Sequence, residues 1–178
     1  RLVTIGAVIA LVGTAVAVRF LEGLPWTLSF VIGALLVATG PTVISPILEV
    51  VPVRDQVAAV LETEGIVNDV TAAITAVVIF EAVDPTVTAE GLVRGFALRL
   101  GDGLLVGLIV AGVLYYLLRY VDLSPGAAPR NARLLVLAGA LAAFAAANQL
   151  ASEAGVAAAA TAGLVLGNMN IPYKEDIT

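Results

Sequence analysis

The chain alternates long apolar runs with short polar interruptions, and most of the runs are long enough to cross a membrane. A spanning helix needs about 20 predominantly apolar residues, with a range of about 17–25. Leu2–Val18 is uninterrupted and is closed by Arg19 and Glu22. Trp26–Val51 follows, with Trp26 at an interface position, where amphipathic rings settle at headgroup level. Val57–Val83 is the third run. Gly91–Val121 is long and carries Arg94, Arg99 and Asp102 in its first third. That part is expected to lie along the interface or tilt before Gly103–Tyr120 crosses. Ala132–Leu150 and the shorter Ala154–Met169 complete the series. Connections such as Ser124-Pro125-Gly126-Ala127-Ala128-Pro129 are short and turn-like. Strict period-two alternation is missing, which argues against an outer-membrane barrel. The expected fold is all-α: a polytopic transmembrane helix bundle of about six spans.

Composition strengthens that reading. The chain of 178 residues is 60% hydrophobic and 13% charged, with mean hydropathy +1.04, whereas a soluble domain carries about 25% charge. Aromatics are only 6%, so the apolar bulk is Ala, Val, Leu and Gly, which suits helices packed through small residues. The net charge of −5 gives no reason to expect nucleic acid. With no Cys and no His, disulfides, thiolate catalysis, His-ligated metals and a His proton carrier are excluded. Proton chemistry near neutral pH then falls to a perturbed carboxylate or Lys.

One set of loops holds Arg1, Arg54, Arg119, Arg130, Arg133 and Lys174; the other holds Arg19, Arg94 and Arg99. The positive-inside rule places the first set in the cytoplasm. Arg1 is not expected to begin a signal peptide, and Ile171–Thr178 is expected to be a loop entering a further element. Residues 1–178 are therefore expected to be one domain, or part of one, in a longer protein.

Two segments carry chemistry. The third run contains Glu64-Gly65-Ile66-Val67-Asn68-Asp69, two carboxylates and an amide at membrane depth. Each charge there is costly, by about 2.5–3.5 kcal/mol even on the lenient insertion scale, and is kept when it faces a polar cavity, pairs, or binds something. Glu64 and Asn68 lie four apart on one helical face, Asp69 is adjacent, and Thr71 and Thr75 continue a weakly polar stripe. A purely structural cluster, with the carboxylates paired to Arg residues elsewhere, is the plainer reading.

The second run contains Ala38-Thr39-Gly40-Pro41-Thr42-Val43-Ile44-Ser45-Pro46. Pro41 removes a backbone donor and crowds the preceding turn, and Gly40 tolerates unusual backbone angles. Together they predict a helix break near the bilayer midplane. Non-helical backbone at that depth survives only where it is buried in protein or lines a cavity, and secondary transporters use such breaks around ion sites. A proline kink that only shapes packing is the alternative.

Taken together, the two motifs resemble the monovalent cation/proton antiporter family, its sodium/proton exchanger branch. The resemblance runs over essentially the whole chain. It is carried by Thr39-Gly40-Pro41, Val51-Pro52-Val53-Arg54-Asp55, Glu64 to Asp69, and Gly163-Leu164-Val165-Leu166-Gly167-Asn168. It implies part of an inverted-repeat fold, the later helices of the second repeat lying outside this chain, and a cell-membrane location. By that resemblance Asp69 matches the aspartate that binds cation and proton alternately, and so is the metal site for a monovalent cation. Asn68 matches the asparagine that marks electroneutral exchangers. Thr39 matches the threonine whose oxygens help ligate the cation. Glu64 matches a glutamate that pairs with an arginine on a later helix. There are two departures: Gly40 stands where many members have Asp, and Gly65 where many have Ser. The implied partners are monovalent cations, protons, the lipid bilayer and a second copy in a homodimer. No cofactor is implied.

The chemistry can be run by these residue types. An ionised Asp, an Asn carbonyl, a Thr hydroxyl and freed backbone carbonyls supply oxygens to sodium or potassium, and one carboxylate can hold a proton or a cation but hardly both. No covalent step, and hence no enzyme activity, is needed. The rivals are a membrane-embedded hydrolase and a cation channel. An aspartyl hydrolase needs two carboxylates sharing a proton, and Glu64 lies five residues from Asp69, about 100–140° round the helix, a poor geometry for such a pair. A lone titratable Asp beside a broken helix fits alternating access better than a pore. Asn148 and Gln149 are expected to cap a helix or bridge helices, and Arg94, Arg99 and Asp102 to snorkel or pair locally. Glu81 and Asp84 are expected to be solvated helix-end charges.

Overall fold

A computed structural model describes residues 2–38, 41–51, 53–120 and 128–171. The expected Thr39 and Gly40 positions lie outside the described residues, as do Pro52, 121–127 and the residues after Ile171. Among the described residues, seven α-helices follow a π-helical turn, Leu2–Gly6: α1 (Ala7–Glu22), α2 (Trp26–Val37), α3 (Pro41–Val50), α4 (Asp55–Glu81), α5 (Ala89–Tyr120), α6 (Ala128–Leu150) and α7 (Ala154–Asn168). There is no strand among the described residues. Four segments, Thr4–Glu22, α4, α5 and α6, are long and apolar enough to cross a membrane, and α2 and α7 are shorter apolar helices. The protein is a polytopic all-α membrane protein.

The boundaries have local causes. α1 runs on through Arg19 to Glu22 and stops at Gly23, whose φ of 68° is left-handed, the usual glycine solution at a helix C-terminus. Arg19 closes the turn by donating to the carbonyls of Gly23 and Leu24 at 3.0 and 2.9 Å. Its guanidinium also lies 5.8 Å from the Trp26 ring centroid, so the interfacial tryptophan is held by a cation as well as by Phe20 and Phe30. The second apolar run is two helices. α2 ends at Val37, Ala38 is extended with ψ 94°, and α3 begins at Pro41, the end of a helix where a missing N–H is harmless. The fourth run is one continuous helix of 32 residues. α6 takes in Ala128 and Pro129, which the sequence pattern gives to the preceding turn.

The chain divides into two compact units, Arg1–Phe96 and Ala97–Thr178. In the first, α1 packs on α2, α2 and α3 on α4, and the π turn on both α1 and α4. The α1–α2 contact is close: a Cβ on Gly33 would stand 2.6 Å from the Leu11 carbonyl oxygen. In the second unit the core joins Ala111, Leu114 and Leu118 of α5 to Ala132 of α6 and to Ala162 and Leu166 of α7. A smaller cluster joins Ala143 and Ala147 to Ala154 and Ala158. Gly103 and Gly107 of α5 approach the α7 backbone so closely that a Cβ on Gly107 would stand 2.5 Å from the Ala158 carbonyl oxygen. Small residues thus set the helix spacing, as expected where lipid tails offer no hydrophobic drive to associate.

Polar side chains of the second unit serve that packing. Asn148 Oδ1 accepts the Gly155 N–H at 2.8 Å and so supplies a cap for α7 from the end of α6. Arg99 departs from the snorkelling expectation. It is only 9% exposed, and its Nε donates to the Ser152 carbonyl at 3.0 Å. It therefore holds the α6–α7 turn, where Glu153 takes a left-handed φ of 67°.

Candidate ion-binding site

The site is built on α4. This helix buries Gly65, Asn68, Val70, Ala72, Ile74 and Ala76, a set that faces neighbours over more than one side, as a helix inside a membrane protein should. Asn68 is 5% exposed, while Glu64 and Asp69 are half-buried. One oxygen on each of the last two motif residues, Asn68 Oδ1 and Asp69 Oδ1, is buried without a hydrogen-bond partner. Buried polar oxygens are nearly always bonded, and leaving one unpaired costs about 1–3 kcal/mol. Two neighbouring oxygens in that state are therefore poised to accept from something, whether a proton donor or a cation. Glu64 makes no ion pair among the described residues.

The helix break lies near them. α2 and α4 are packed together. Val37, the last residue of α2, lines a cleft of about 390 Å³ together with Thr71, Ala72 and Thr75 of α4, Ala34 of α2, and Thr4, Ala7, Val8 and Leu11. Asn68 is three residues before Thr71, which is about 4.5 Å along the axis and 60° round it. Thr71, on the cleft that Val37 also lines, is thus about one helical turn along α4 from Asn68. Thr71 Oγ1 donates back to the Val67 carbonyl at 2.9 Å, with the Asn68 carbonyl at 3.2 Å, the local bond by which Thr bends a membrane helix.

Of the sequence-predicted site residues, Asn68 and Asp69 are adjacent on α4 with Glu64 one turn earlier, and Pro41 starts α3, which packs on α4. Thr39 and Gly40 fall in the gap between α2 and α3, outside the described residues. What sequence reasoning missed is the cleft. Thr71 and Thr75 were legible as a polar stripe, but Thr4, on the other side of it, carries no pattern of its own.

At the mouth of α4, Asp84 accepts from the Thr86 N–H and hydroxyl at 2.8 and 2.7 Å. These bonds, the backbone one first, hold its carboxyl below the usual carboxylate range. It is a structured turn rather than a loose helix-end charge. Among the described residues no group of three or more Asp or Glu gathers as a metal cluster.

Comparison with known proteins decides the family. The sodium/hydrogen exchanger transmembrane model matches residues 1–178. The chain belongs to the sodium/hydrogen exchanger family. It is 29% identical over 170 residues to the K(+)/H(+) antiporter NhaP2 of Shewanella sp. strain MR-4, and equally to that of strain MR-7. Each match covers 94% of this chain and 29% of the relative's length. The chain thus spans less than a third of the curated relatives it matches. No solved structure gives a significant match. As a member of this family with several apolar helices, the protein is a multi-pass protein of the cell membrane.

Proposed function

We propose that this chain carries the cation-binding part of a monovalent cation/proton antiporter, in which Asp69 holds a proton and a cation in turn. The observation that carries the reading is the pair of buried, unpartnered oxygens on Asn68 and Asp69 of α4, the helix on which both α2 and α3, the two sides of the break, pack. An ionised aspartate and an amide carbonyl are the hard oxygen ligands a monovalent cation takes, and a proton competes for the same carboxylate. Thr39 and the backbone freed at the break would complete the shell, with Glu64 held for a cationic partner elsewhere in the full-length protein. Exposing the site to each side in turn then converts competition into exchange. Potassium is the favoured cation, because the relatives named above are K(+)/H(+) antiporters. With a single ionisable group at the site, exchange is one charge for one and indifferent to voltage. The working unit is a homodimer of the full-length protein, whose remaining helices supply the second repeat.

The test is exchange in vesicles containing the full-length protein and a quenched pH dye. Added potassium should dequench the dye with the wild type and leave it flat with Asp69→Asn, at near-normal expression. Robust exchange by Asp69→Asn would remove Asp69 as the shared carrier.

A further inference from the structure

Arg19 closes the α1–α2 turn with one nitrogen and keeps its other donors. Both bonds to the turn come from Nη1, to the carbonyls of Gly23 and Leu24. A guanidinium carries five N–H donors, so the Nε–H and the Nη2 hydrogens are left over. They meet no acceptor among the described residues. That edge of the group is one that takes two oxygens of a phosphate or carboxylate side by side. It is also held in place, by the two carbonyls and by the Trp26 ring 5.8 Å away, so little side-chain freedom is lost when it meets an anion.

The carboxylate closest in sequence does not use that edge. Glu22 is three residues on, a spacing at which helical Arg and Glu commonly pair. Arg19 turns past it to the carbonyls instead, and no ion pair joins the two. Arg19 is half-buried and Glu22 exposed. A guanidinium edge without its anion and a carboxylate without its cation thus stand about 4.5 Å apart along the helix axis and 60° round it. They lie in the last turn of Thr4–Glu22, a segment long enough to cross a membrane. Phe20, Leu21 and Trp26 beside them are exposed, and the Phe20 and Trp26 rings meet edge to face at 6.4 Å. Aromatic rings and a long basic side chain at the end of a span belong at the headgroup boundary.

We propose that Arg19 and Glu22 form a headgroup site for a zwitterionic phospholipid with a primary ammonium, of the phosphatidylethanolamine class. Its phosphate sits on the Nε–Nη2 edge of Arg19, its ammonium on the Glu22 carboxylate, and its acyl chains run along Phe20 and Leu21. The charges make the choice. A glycerol headgroup, anionic overall, offers Glu22 no cation, and a choline headgroup offers it a cation with no N–H to donate. An ethanolamine headgroup carries a donor cation two carbons from its phosphate ester, which matches a basic and an acidic group one turn apart. The inference is independent of the antiporter reading.

Lipid competition on the purified full-length protein tests it, read by native mass spectrometry from micelles holding equal amounts of phosphatidylethanolamine, phosphatidylglycerol and phosphatidylcholine with the same chains. The ethanolamine lipid should be retained about two- to fivefold over each of the others, the size of one exposed ion pair. Glu22→Gln leaves every bond of the turn in place and should bring the three lipids to parity. Arg19→Gln should also abolish the preference; if it unfolds the turn, Glu22→Gln decides alone. Phosphoethanolamine without chains should not displace the lipid. Equal retention of the three lipids by the wild type would overturn the proposal, and so would an ethanolamine preference that survives Glu22→Gln. Displacement by chain-free phosphoethanolamine would overturn the lipid as occupant in favour of a soluble phosphate ester.

Discussion

At the scale of single residues, the acidic motif is where sequence and structure speak most directly to each other. Asp69 and Asn68 were legible because charge and amide are so costly in an apolar run; the structure adds that an oxygen of each is buried without a partner. Glu64 is a different case. It is half-buried on the same face and has no ion pair among the described residues. If a cation of the full-length protein meets it, Glu64→Ala should destabilise that protein and lower its melting temperature, the loss being smaller than that of a fully buried pair, about 3–5 kcal/mol. Glu64→Gln, which keeps hydrogen bonding, should cost less. Thermal unfolding of both variants in detergent checks this; a Glu64→Ala protein that melts like the wild type but does not transport would make Glu64 a ligand instead. Arg99 was misjudged because its position near a helix end fits snorkelling equally well. Only the tertiary fold brings the Ser152 carbonyl to it, from 53 residues away.

At the scale of elements, the apolar runs located every helix, and the structure changed their ends. The second run splits because the extended Ala38 and the helix start at Pro41 interrupt it, which the Gly-Pro pair announces. The start of α6 was missed because Pro129 reads as a turn signal, yet proline is welcome in a first helical turn. Helix spacing was not legible, since nothing in the sequence says which of the many glycines meets a backbone. Gly33 does. Alanine is the better helix former by about 1 kcal/mol, but here its Cβ would stand 2.6 Å from the Leu11 carbonyl oxygen, and a backbone oxygen cannot swing aside. Overpacking of this kind costs about 1–3 kcal/mol, so the clash wins. Gly33→Ala should lower the melting temperature, whereas Gly13→Ala on α1, with nothing within 4 Å of its Cβ, should not. Equal melting of the two would show that α1 and α2 separate freely.

At the scale of the whole molecule, the family membership, the helix break and the orphaned oxygens all support the proposal that a single carboxylate in the membrane is shared by proton and cation. Within these 178 residues, which hold no His and no Cys, the site chemistry falls to carboxylates, amides and hydroxyls, and the family was readable from two short motifs because chemistry at membrane depth uses so few residue types. The measurement closest to the claim is potassium binding to the purified full-length protein, by calorimetry, across a pH series and in buffers of differing ionisation enthalpy. Competition at one site predicts that the apparent Kd rises about tenfold for each unit that the pH falls, on the acid side of the carboxyl's own titration. It also predicts release of up to one proton per cation bound there, and loss of both effects in Asp69→Asn. Potassium binding of constant affinity across the series, with no proton released, would contradict the account.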